Sequence, residues 1–397
     1  MHKKLGRWAE HFRVGASSDS VGTKHRKRRA MNPRAEVRPD GTANSKLRVI
    51  HVGPSMLGVG GIETVIRTYV EFEWSGLEFQ ALSSWNKTAG KSRSWESLRA
   101  AWALIRSYEP GNARTIAHFH LSHQGSFVRE GALLMLARTL GLCAVATIHG
   151  SAFVSSSLRT PWRWIYPLVL AKAHAIGVLN ESTMASVNAM TTSVPVYLVQ
   201  NPGPVSSSSV EEKSPATCSP TAVFAGTVGR RKGVDTLLSA WAAVLEEVPG
   251  ANLEIWGPIE DSMKGSPGSR HFRGPISAAQ VSERLRQCRV AVLPSTAEAM
   301  PMFILEAMGA GRPSVVTDVG AMPIQIGGGG TVVPVGNVDR LAQALIFYLV
   351  NPEIASEHGL AARKRYEENF NLEETESELR TFYQNAIATM KSRESKP

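Results

Sequence analysis

The chain has 397 residues, more than one hydrophobic core usually serves, so we expect two domains. Its formal net charge of +10 is concentrated at one end. Residues 1–48 hold thirteen Lys or Arg and four Asp or Glu, a net +9 that leaves +1 for the rest of the chain. A nearly neutral remainder excludes the broad basic face of a nucleic-acid-binding domain, and we expect no nucleic-acid partner.

The basic segment, residues 1–45, lacks apolar periodicity and is predicted to be disordered. We interpret it as a solvated tail, or as an extension before a true start at Met31, in preference to a tether for nucleic acid or an anionic membrane. It lacks a signal peptide's apolar run, and no uncharged apolar run reaches 18 residues, so the protein is expected to be cytoplasmic. The widely spaced Cys143, Cys218 and Cys288 fit reduced thiols.

Strands alternate with helices in residues 46–202, which predicts an α/β domain with a parallel sheet. The predicted strands are residues 47–53, 116–120, 143–148, 175–179 and 196–199, and the predicted helices start at residue 62 or span 95–108, 127–140 and 181–190. A Ser- and Pro-rich stretch, residues 203–220, is predicted to be a linker. Residues 159–166 mix Arg with Trp and Tyr, and we favour core packing under a loop over contact with a membrane.

Three features of the first half fall where predicted strands end: a glycine loop with Gly60 and Gly61, then His120, then His149. Ligands of such sheets bind beyond the carboxyl ends of the strands, so the shared position favours a ligand site. The glycine loop alone is equally well explained as a tight turn. His118 and His120 share one face of a strand, but His123 belongs to the next loop, so we expect no metal site.

Residues 221–375 repeat the alternation and predict a second domain, followed by a C-terminal helix and polar tail in residues 376–397. The predicted strands are residues 221–225, 253–256, 289–293, 314–317 and 331–333. The predicted helices are residues 234–248 and 278–287, one opened by Pro301, and three that begin at residues 338, 354 and 372.

Two loops of the second half contain the charged residues that most strongly suggest a ligand site. Residues 226–233 form a glycine-bounded cationic turn that includes Arg231 and Lys232, which suits a phosphate. Residues 294–313 place Glu298 in a loop and Glu306 on the helix that Pro301 opens, whose N-terminus favours negative charge. Both loops are expected to open on the same edge of one sheet.

With these loops placed, residues 47–370 resemble the family 4 retaining glycosyltransferases of the two-domain GT-B fold. The resemblance rests on four motifs in matching order. They are Gly60-Gly61-Ile-Glu63, Thr147-Ile-His149-Gly150, the turn at residues 226–233, and Glu298-x7-Glu306 with Pro301 between. The fold it implies is GT-B, with two Rossmann-like doubly wound parallel-sheet domains facing across a cleft.

The resemblance also implies roles for individual residues. Lys232 would bind the diphosphate of a nucleotide sugar, Glu306 the ribose hydroxyls and Glu298 the hydroxyls of the sugar. Gly60 and Gly61 would reach the phosphate from the opposite domain, and His149 would lie near the transferred sugar. Catalytic work is thereby assigned to His149, Glu298 and Lys232. Further donor or acceptor contacts are expected at His120, Thr227, Arg231, Met300, Pro301, Phe303 and Ile304.

The sequence departs from the family pattern at three places. Thr227 stands where the family often has Arg, so half of a cationic clamp is missing unless Arg230 or Arg231 replaces it. Ala299 stands where Gly is usual, and Pro202 interrupts the usual Asn-Gly of the hinge. We therefore expect an altered donor site in an unaltered fold.

The resulting hypothesis is retaining transfer of a sugar from a UDP- or GDP-sugar to a polysaccharide or lipid-linked glycan, with no metal and no cofactor. Front-face attack assisted by the leaving phosphate is expected, so Glu298 is not assigned as a nucleophile. Two alternatives remain open: a nucleotide-sugar epimerase of the same architecture, and a glycan-binding protein with a decayed site. Peripheral contact with the inner face of the cell membrane also stays open.

Overall fold

The computed structural model describes residues 46–58, 60–85, 93–107, 115–204 and 213–395, without the side chains of residues 93–95. The described residues all fall within one compact unit, residues 44–397. The predicted tail, residues 1–45, and residues 205–212 of the predicted linker lie outside them. Among the described helices, none combines the length and the apolar character needed to cross a membrane.

The N-terminal domain contains a six-stranded parallel sheet. Its strands are β1 (Leu47–Pro54), β2 (Leu77–Trp85), β3 (Thr115–Leu121), β4 (Cys143–Ile148), β5 (Ala175–Val178) and β6 (Val196–Leu198). Their order across the sheet is β2-β1-β3-β4-β5-β6. The five predicted strands are present, and β2 was missed. It is an edge strand that interleaves polar and apolar side chains, so it lacks the apolar run that marked the others.

Six helices flank this sheet. They are α1 (Gly61–Glu71), α2 (Arg93–Arg106), α3 (Gly125–Thr139), α4 (Phe153–Ser157), α5 (Trp162–Leu170) and α6 (Glu181–Met190). The expectation of a packed loop at residues 159–166 was wrong in part, because α5 begins at Trp162. Tyr166 is fully buried and stacks on Phe127 with ring centroids 4.0 Å apart, whereas Trp164 is 62% exposed. Helical periodicity explains the difference, since these two side chains point to opposite sides of α5.

The C-terminal domain contains a second six-stranded parallel sheet. Its strands are β7 (Thr221–Ala225), β8 (Asn252–Trp256), β9 (Phe272–Gly274), β10 (Val290–Leu293), β11 (Ser314–Thr317) and β12 (Gly330–Val333). The order across the sheet is β12-β11-β10-β7-β8-β9. Among the strands of this second sheet, the sequence patterns missed only the three-residue edge strand β9.

Seven helices complete the C-terminal half. They are α7 (Val234–Glu247), α8 (Ala278–Gln287), α9 (Met302–Gly309), α10 (Met322–Ile326), α11 (Val338–Val350), α12 (Pro352–Asn369) and α13 (Leu372–Glu394). A capping box formed by Ser277 and Gln280 starts α8, and the side chain of Asn337 caps α11. Short 3₁₀ helices occupy Arg230–Lys232 and, inside the predicted linker, Pro215–Thr217.

Helix α13 connects the two halves of the molecule. Tyr383 on this helix shares a 2.8 Å hydrogen bond with Nδ1 of His118 on β3. Near the helix end, Arg393 donates to the carbonyl of Ala173 at 3.1 Å. Because α13 begins at Leu372, the predicted boundary between residues 375 and 376 falls inside this helix. The C-terminal segment therefore packs against the N-terminal sheet.

The strand orders locate the switch point of each sheet, where the connections turn from one side to the other. In the N-terminal sheet it lies between β1 and β3, and in the C-terminal sheet between β7 and β10. Ligands of open parallel sheets bind at such points, beyond the carboxyl ends of the strands. The loop after β1 ends at Gly60, and Gly61 is the first residue of α1. The loop after β7 carries Lys232, and the loop after β10 carries Glu298.

Candidate active site

The turn that follows β7 has a backbone that only glycine can complete. Gly233 has a φ of +69° and ends the 3₁₀ turn Arg230–Lys232 where α7 begins. A Cβ at Gly233 would lie 1.9 Å from the carbonyl oxygen of Pro294, in the loop after β10. The missing side chain thus lets the two loops of the switch point meet.

This approach pairs Lys232 with Glu298. Nζ of Lys232 donates to Oε1 of Glu298 at 2.5 Å, and the two side chains are 15% and 8% exposed. The hydroxyl of Ser295 donates to the same oxygen at 2.8 Å. The expectation that the cationic turn and the Glu298 loop share one sheet edge is confirmed. The site thus holds a largely buried ion pair in which lysine neutralises the carboxylate.

Arg231 adds a second cation to this site. Its Nη1 lies 4.0 Å from Oε1 of Glu298 and donates to the carbonyl of Ala297 at 3.0 Å. The same atom donates across the cleft to the hydroxyl of Ser151 at 3.2 Å. Thr227 follows β7 as a half-buried, uncharged residue, and the second cation near Glu298 is Arg231.

The N-terminus of α9 borders the same loop. Pro301 is the N-cap, and the N–H groups of Met302, Phe303 and Ile304 form the first turn, where no intrahelical partner exists. The side chains of Phe303 and Ile304 are buried, 6% and 0% exposed. These two predicted contact residues can therefore reach a ligand through their backbone N–H groups rather than their side chains.

Two asparagines of the N-terminal domain hold the loop before α9 from across the cleft. Nδ2 of Asn201 donates to the carbonyl of Met300 at 2.8 Å, and Nδ2 of Asn180 donates to the carbonyl of Ala299 at 3.4 Å. The carbonyl of Met300 and its buried side chain are therefore engaged within the protein. The asparagines fix the position of Pro301 and α9 relative to the N-terminal sheet.

Glu306 lies on α9, one turn after Met302, and is half-buried. Desolvation raises the pKa of its carboxyl to about 7. A carboxyl that titrates near neutrality, close to a helix N-terminus at a switch point, is typical of a functional site.

The glycine loop after β1 faces this region from the N-terminal domain. Among the described residues, a Cβ at Gly61 would meet no atom within 4 Å, so this part of the structure leaves the N-terminus of α1 open to a ligand. The Glu63 carboxylate folds back over Gly60, and Arg67 donates to the carbonyl of Gly58 at 3.1 Å. Helices α1 and α9 are in contact, so the two helix N-termini border a single cleft.

Three histidines at the carboxyl edge of the N-terminal sheet form a hydrogen-bonded chain. Nδ1 of His51 on β1 lies 2.7 Å from Nε2 of His120 on β3, and Nδ1 of His120 lies 2.8 Å from Nε2 of His149 after β4. His51 and His120 are buried, while His149 is partly exposed. Burial lowers the pKa of all three rings, that of His149 to about 3, so the chain consists of neutral imidazoles.

The tautomers of the three histidines can be assigned from His51, the buried end of the hydrogen-bonded chain. Nε2 of His51 is buried and has no hydrogen-bond partner among the residues that the structure describes. A buried orphan N–H is rarer than a buried unpaired acceptor, so we assign the protons to Nδ1 of His51 and of His120. His149 then accepts through Nε2 and carries its own proton on Nδ1, the nitrogen outside the chain. His149 can therefore donate a hydrogen bond to a ligand hydroxyl.

The same region contains a candidate cluster for a metal ion: ligand atoms of His51, His118 and His120 lie within 4.8 Å of one another. Both ring nitrogens of His118 are engaged, with Tyr383 and with Thr147 at 2.8 Å. His51 and His120 bond to each other, and none of the three ligands is a carboxylate. The contacts fit a hydrogen-bonded core better than a metal centre.

Sequence patterns located the main loops but missed several partners. His51 is a single histidine in an apolar strand, and Ser151, Asn180 and Asn201 are small polar residues in loops. Each of them acts through a contact between distant segments, which no local spacing reveals. Only Asn180 has a local signal: it directly precedes α6 as its N-cap, a position that asparagine favours.

Comparison with known proteins agrees with this geometry. Residues 219–351 match the family described as Glycosyl transferases group 1. The chain is 27% identical over 190 residues to the D-inositol 3-phosphate glycosyltransferase of Streptomyces coelicolor, covering 43% of this chain and 41% of that protein. It is 26% identical over 250 residues to the alpha-maltose-1-phosphate synthase of Mycobacterium tuberculosis, covering 57% of this chain and 61% of that protein. The matches thus span less than two thirds of either relative.

Solved structures share the fold over most of the chain. A sucrose-phosphate synthase of Thermosynechococcus elongatus matches with a TM-score of 0.65 and 18% identity, covering 86% of this chain and all of that one. Anabaena HepE in complex with UDP and glucose matches with a TM-score of 0.64 and 11% identity, covering 85% of this chain and 99% of that one. The expected GT-B architecture is confirmed.

Proposed function

We propose that the chain, whose residues 219–351 match the family described as Glycosyl transferases group 1, transfers a sugar from a nucleoside-diphosphate sugar to a polysaccharide or a lipid-linked glycan. The observation that carries this proposal is the Lys232–Glu298 pair. It lies at the switch point of the C-terminal sheet, while the glycine loop occupies the switch point of the N-terminal sheet. Such an arrangement suits a diphosphate between two domains, with a sugar beside it.

The donor would lie along the edge of the C-terminal sheet. The ribose hydroxyls would bond to Glu306, and the diphosphate would lie near Lys232, Arg231 and the N–H groups at the start of α9. The open N-terminus of α1 at Gly61 would approach the phosphate from the other domain. The sugar would fall between Glu298 and His149, whose Nδ1–H would donate to one of its hydroxyls.

Donor binding would rearrange the Lys232–Glu298 pair. A diphosphate carries more charge than one carboxylate and competes for the lysine. Once Nζ of Lys232 turns to the phosphate, Oε1 of Glu298 becomes free to accept from sugar hydroxyls. Ser295 and Arg231 stay within reach of Glu298 and limit the cost of this exchange.

We propose that transfer retains the anomeric configuration and proceeds by front-face attack. The leaving diphosphate develops negative charge, which Lys232, Arg231 and the α9 N-terminus stabilise. This fixed positive charge serves the role a divalent cation would otherwise have, so no metal enters the proposal. Glu298 is engaged with Lys232 and Ser295, and we assign it the positioning of hydroxyls rather than nucleophilic attack.

The acceptor would bind on the N-terminal side of the cleft. The name of one relative specifies an inositol phosphate, and that of another specifies maltose 1-phosphate as its product, so small phosphorylated acceptors belong in any acceptor screen. Three buried free cysteines suit a reducing compartment, and we place the reaction in the cytoplasm or at the inner face of its membrane.

A donor screen tests this function. The full chain is incubated with UDP-, GDP- and ADP-sugars, with and without acceptors, in the presence of EDTA, and nucleotide release and product anomers are followed by NMR. We expect one donor to raise the melting temperature and to release nucleotide faster with acceptor, giving a retained anomer. An epimer formed from donor alone would instead identify an epimerase. A chain that binds glycans but no nucleotide sugar would identify a decayed site.

A further inference from the structure

Three adjacent helices cover one face of the N-terminal sheet. Helix α3 lies in the middle and contacts α2 on one side and α5 on the other. Their inner sides are packed: Leu104 of α2, Leu134 of α3 and Tyr166 of α5 are each fully buried in one hydrophobic cluster. The three helices thus form a continuous layer, and their outer sides form one surface.

That outer surface is apolar where an ordinary surface would be polar. Seven large apolar side chains project from it at helical spacing. They are Leu98, Trp102 and Ile105 on α2, Val128 and Met135 on α3, and Trp164 and Leu168 on α5. Trp102 and Leu168 are 59% and 65% exposed. An exposed apolar area shared by three neighbouring helices marks an interaction site, and we call it the outer helical face.

The exposed charged residues of the outer helical face are basic, while Glu96 of α2 is half-buried and Glu130 of α3 is fully buried. Residues 131–180 contain no Asp or Glu, although they span fifty positions. Arg106 lies over the ring of Trp102 at 5.6 Å, and Arg163 lies over the ring of Trp164 at 4.8 Å. Arg159 is exposed in the loop before α5. Tryptophan beside arginine on an apolar surface suits the boundary between lipid headgroups and acyl chains.

We propose that the outer helical face docks on an anionic lipid bilayer. The apolar side chains would enter the headgroup region, while Arg106, Arg159 and Arg163 would bind lipid phosphates. The charge complementarity favours a bilayer over a second copy of the chain, since two copies would bring like charges together.

The position of this face relates it to the cleft. Helix α5 is reached from His149 through the short helix α4, so one end of the outer helical face adjoins the side of the cleft assigned to the acceptor. This relation rests on the proposed function: docking would place a lipid-linked acceptor at the cleft entrance. Binding to the bilayer itself needs no donor and no acceptor, so it can be measured separately.

Flotation of the full chain with phosphatidylcholine vesicles, with or without about one third phosphatidylglycerol, tests the proposal. We expect wild-type protein to float with the anionic vesicles. Three changes to glutamine, Trp102→Gln, Trp164→Gln and Leu168→Gln, should weaken binding by about tenfold or more. Changing Arg106, Arg159 and Arg163 to glutamine should weaken it by on the order of 100-fold and reduce its dependence on salt.

Two control proteins test whether binding is specific to the outer helical face. The pair Ile324→Gln and Leu360→Gln changes exposed apolar residues of the C-terminal half and should leave flotation unchanged. Deleting residues 2–45 removes eleven Lys or Arg and four Asp or Glu, a net charge of +7, and should weaken binding to anionic vesicles without abolishing it, because the outer helical face lies elsewhere. Unchanged flotation of the triple apolar variant, or loss of flotation with the deletion alone, would overturn the proposal. A wild-type dimer that the triple variant converts to a monomer would show that a second copy covers the face. Donor-induced thermal stabilisation of each variant reports separately on the proposed function.

Discussion

Nζ of Lys232 and Oε1 of Glu298 lie 2.5 Å apart although 66 residues separate them in the chain. Their meeting depends on the parallel pairing of β7 with β10, which brings the loops after both strands to one edge. The pair is largely buried, so each side chain neutralises the other in a place from which water is mostly excluded. A site that holds this charge pair before a ligand arrives can exchange one partner for a diphosphate.

The first prediction concerns stability. Lys232→Met should lower the free energy of unfolding by about 3 kcal/mol, because Glu298 would stay buried without its partner. The double variant Lys232→Met/Glu298→Gln should recover most of this loss, since it leaves no charge unpaired. Urea denaturation of the wild type, Lys232→Met, Glu298→Gln and the double variant measures the coupling between the two residues. Additive losses would contradict an energetic interaction between the two residues.

The same variants are expected to behave differently in catalysis. Lys232→Met should lower kcat/KM by about 10²- to 10³-fold, because charge on the leaving diphosphate would lose its main stabilisation. The double variant should remain as inactive as the single one, although it is more stable. Activity that returned together with stability would show that Lys232 has a structural role alone.

Glu306 predicts a pH dependence of nucleotide binding. Its pKa of about 7 means that the carboxylate, the form that accepts two ribose hydroxyls, appears as pH rises from 6 to 8. Nucleotide affinity should therefore increase over this range for UDP, and the increase should be absent for 2′,3′-dideoxy-UDP, the matched control. Calorimetric titration at several pH values gives the comparison. A parallel increase for both nucleotides would assign the effect to the phosphate.

The free energy of unfolding should fall as pH rises and the Glu306 carboxyl loses its proton, whereas nucleotide affinity should increase. The folded-state pKa lies above the ordinary value of 4.5, so the folded protein holds this proton more tightly than the unfolded chain does. The stabilisation is complete below pH 4.5 and is lost as pH rises through 7. Wild-type protein should lose stability relative to Glu306→Gln across this window. A pH-independent difference between the two would contradict the assignment.

Two glycine substitutions should separate folding from ligand binding. Gly233→Ala should be strongly destabilising, because its φ is +69° and a Cβ would collide with the carbonyl of Pro294. Gly61→Ala should leave the melting temperature almost unchanged, since a Cβ there meets no atom of the described part of the chain within 4 Å. It should nevertheless weaken donor binding by crowding the phosphate. A Gly61→Ala protein with full donor affinity would exclude the α1 N-terminus from the site.

The histidine chain predicts a defined tautomer. In protein labelled with ¹⁵N-histidine, Nδ1 of His149 should be protonated and Nε2 unprotonated, and the ring should stay neutral from pH 5 to 8 because its pKa is about 3. His51→Phe should remove the hydrogen bond to His120 that fixes the tautomers of His120 and His149. It should lower kcat about tenfold with little change in donor affinity. His118→Gln, whose ring bonds to Tyr383 and Thr147 instead, is the control. An Nε2-protonated His149 in the wild type would contradict the assigned order.

Particular residues show which features sequence patterns could predict. Apolar runs identified ten of the strands, and chain order then placed Lys232 and Glu298 at one edge, because parallel strands align their carboxyl ends. The edge strand β2 was missed because its inner and outer side chains alternate, as burial on one face requires. The fold could thus be predicted wherever a strand is a continuous run of apolar residues.

The remaining site features depend on contacts that local sequence does not encode. Arg231 reaches Ser151 of the other domain, and His51 reaches His120 of the neighbouring strand. Trp164 looked like a core residue until α5 placed it on the outside, opposite Tyr166. Each of these positions is set by the packing of one element against another, which spacing along the chain leaves undetermined.

The central claim is that one nucleotide sugar lies between the two switch points, and a crystal structure of the full chain with the donor selected by thermal shift tests it most directly. We expect a diphosphate oxygen about 3 Å from Nζ of Lys232, the ribose hydroxyls on Glu306, and Glu298 released from Lys232 to the sugar. The N–H of Gly61 should face the phosphate from the other domain. A nucleotide bound away from Lys232, with the Lys232–Glu298 pair intact, would contradict the claim.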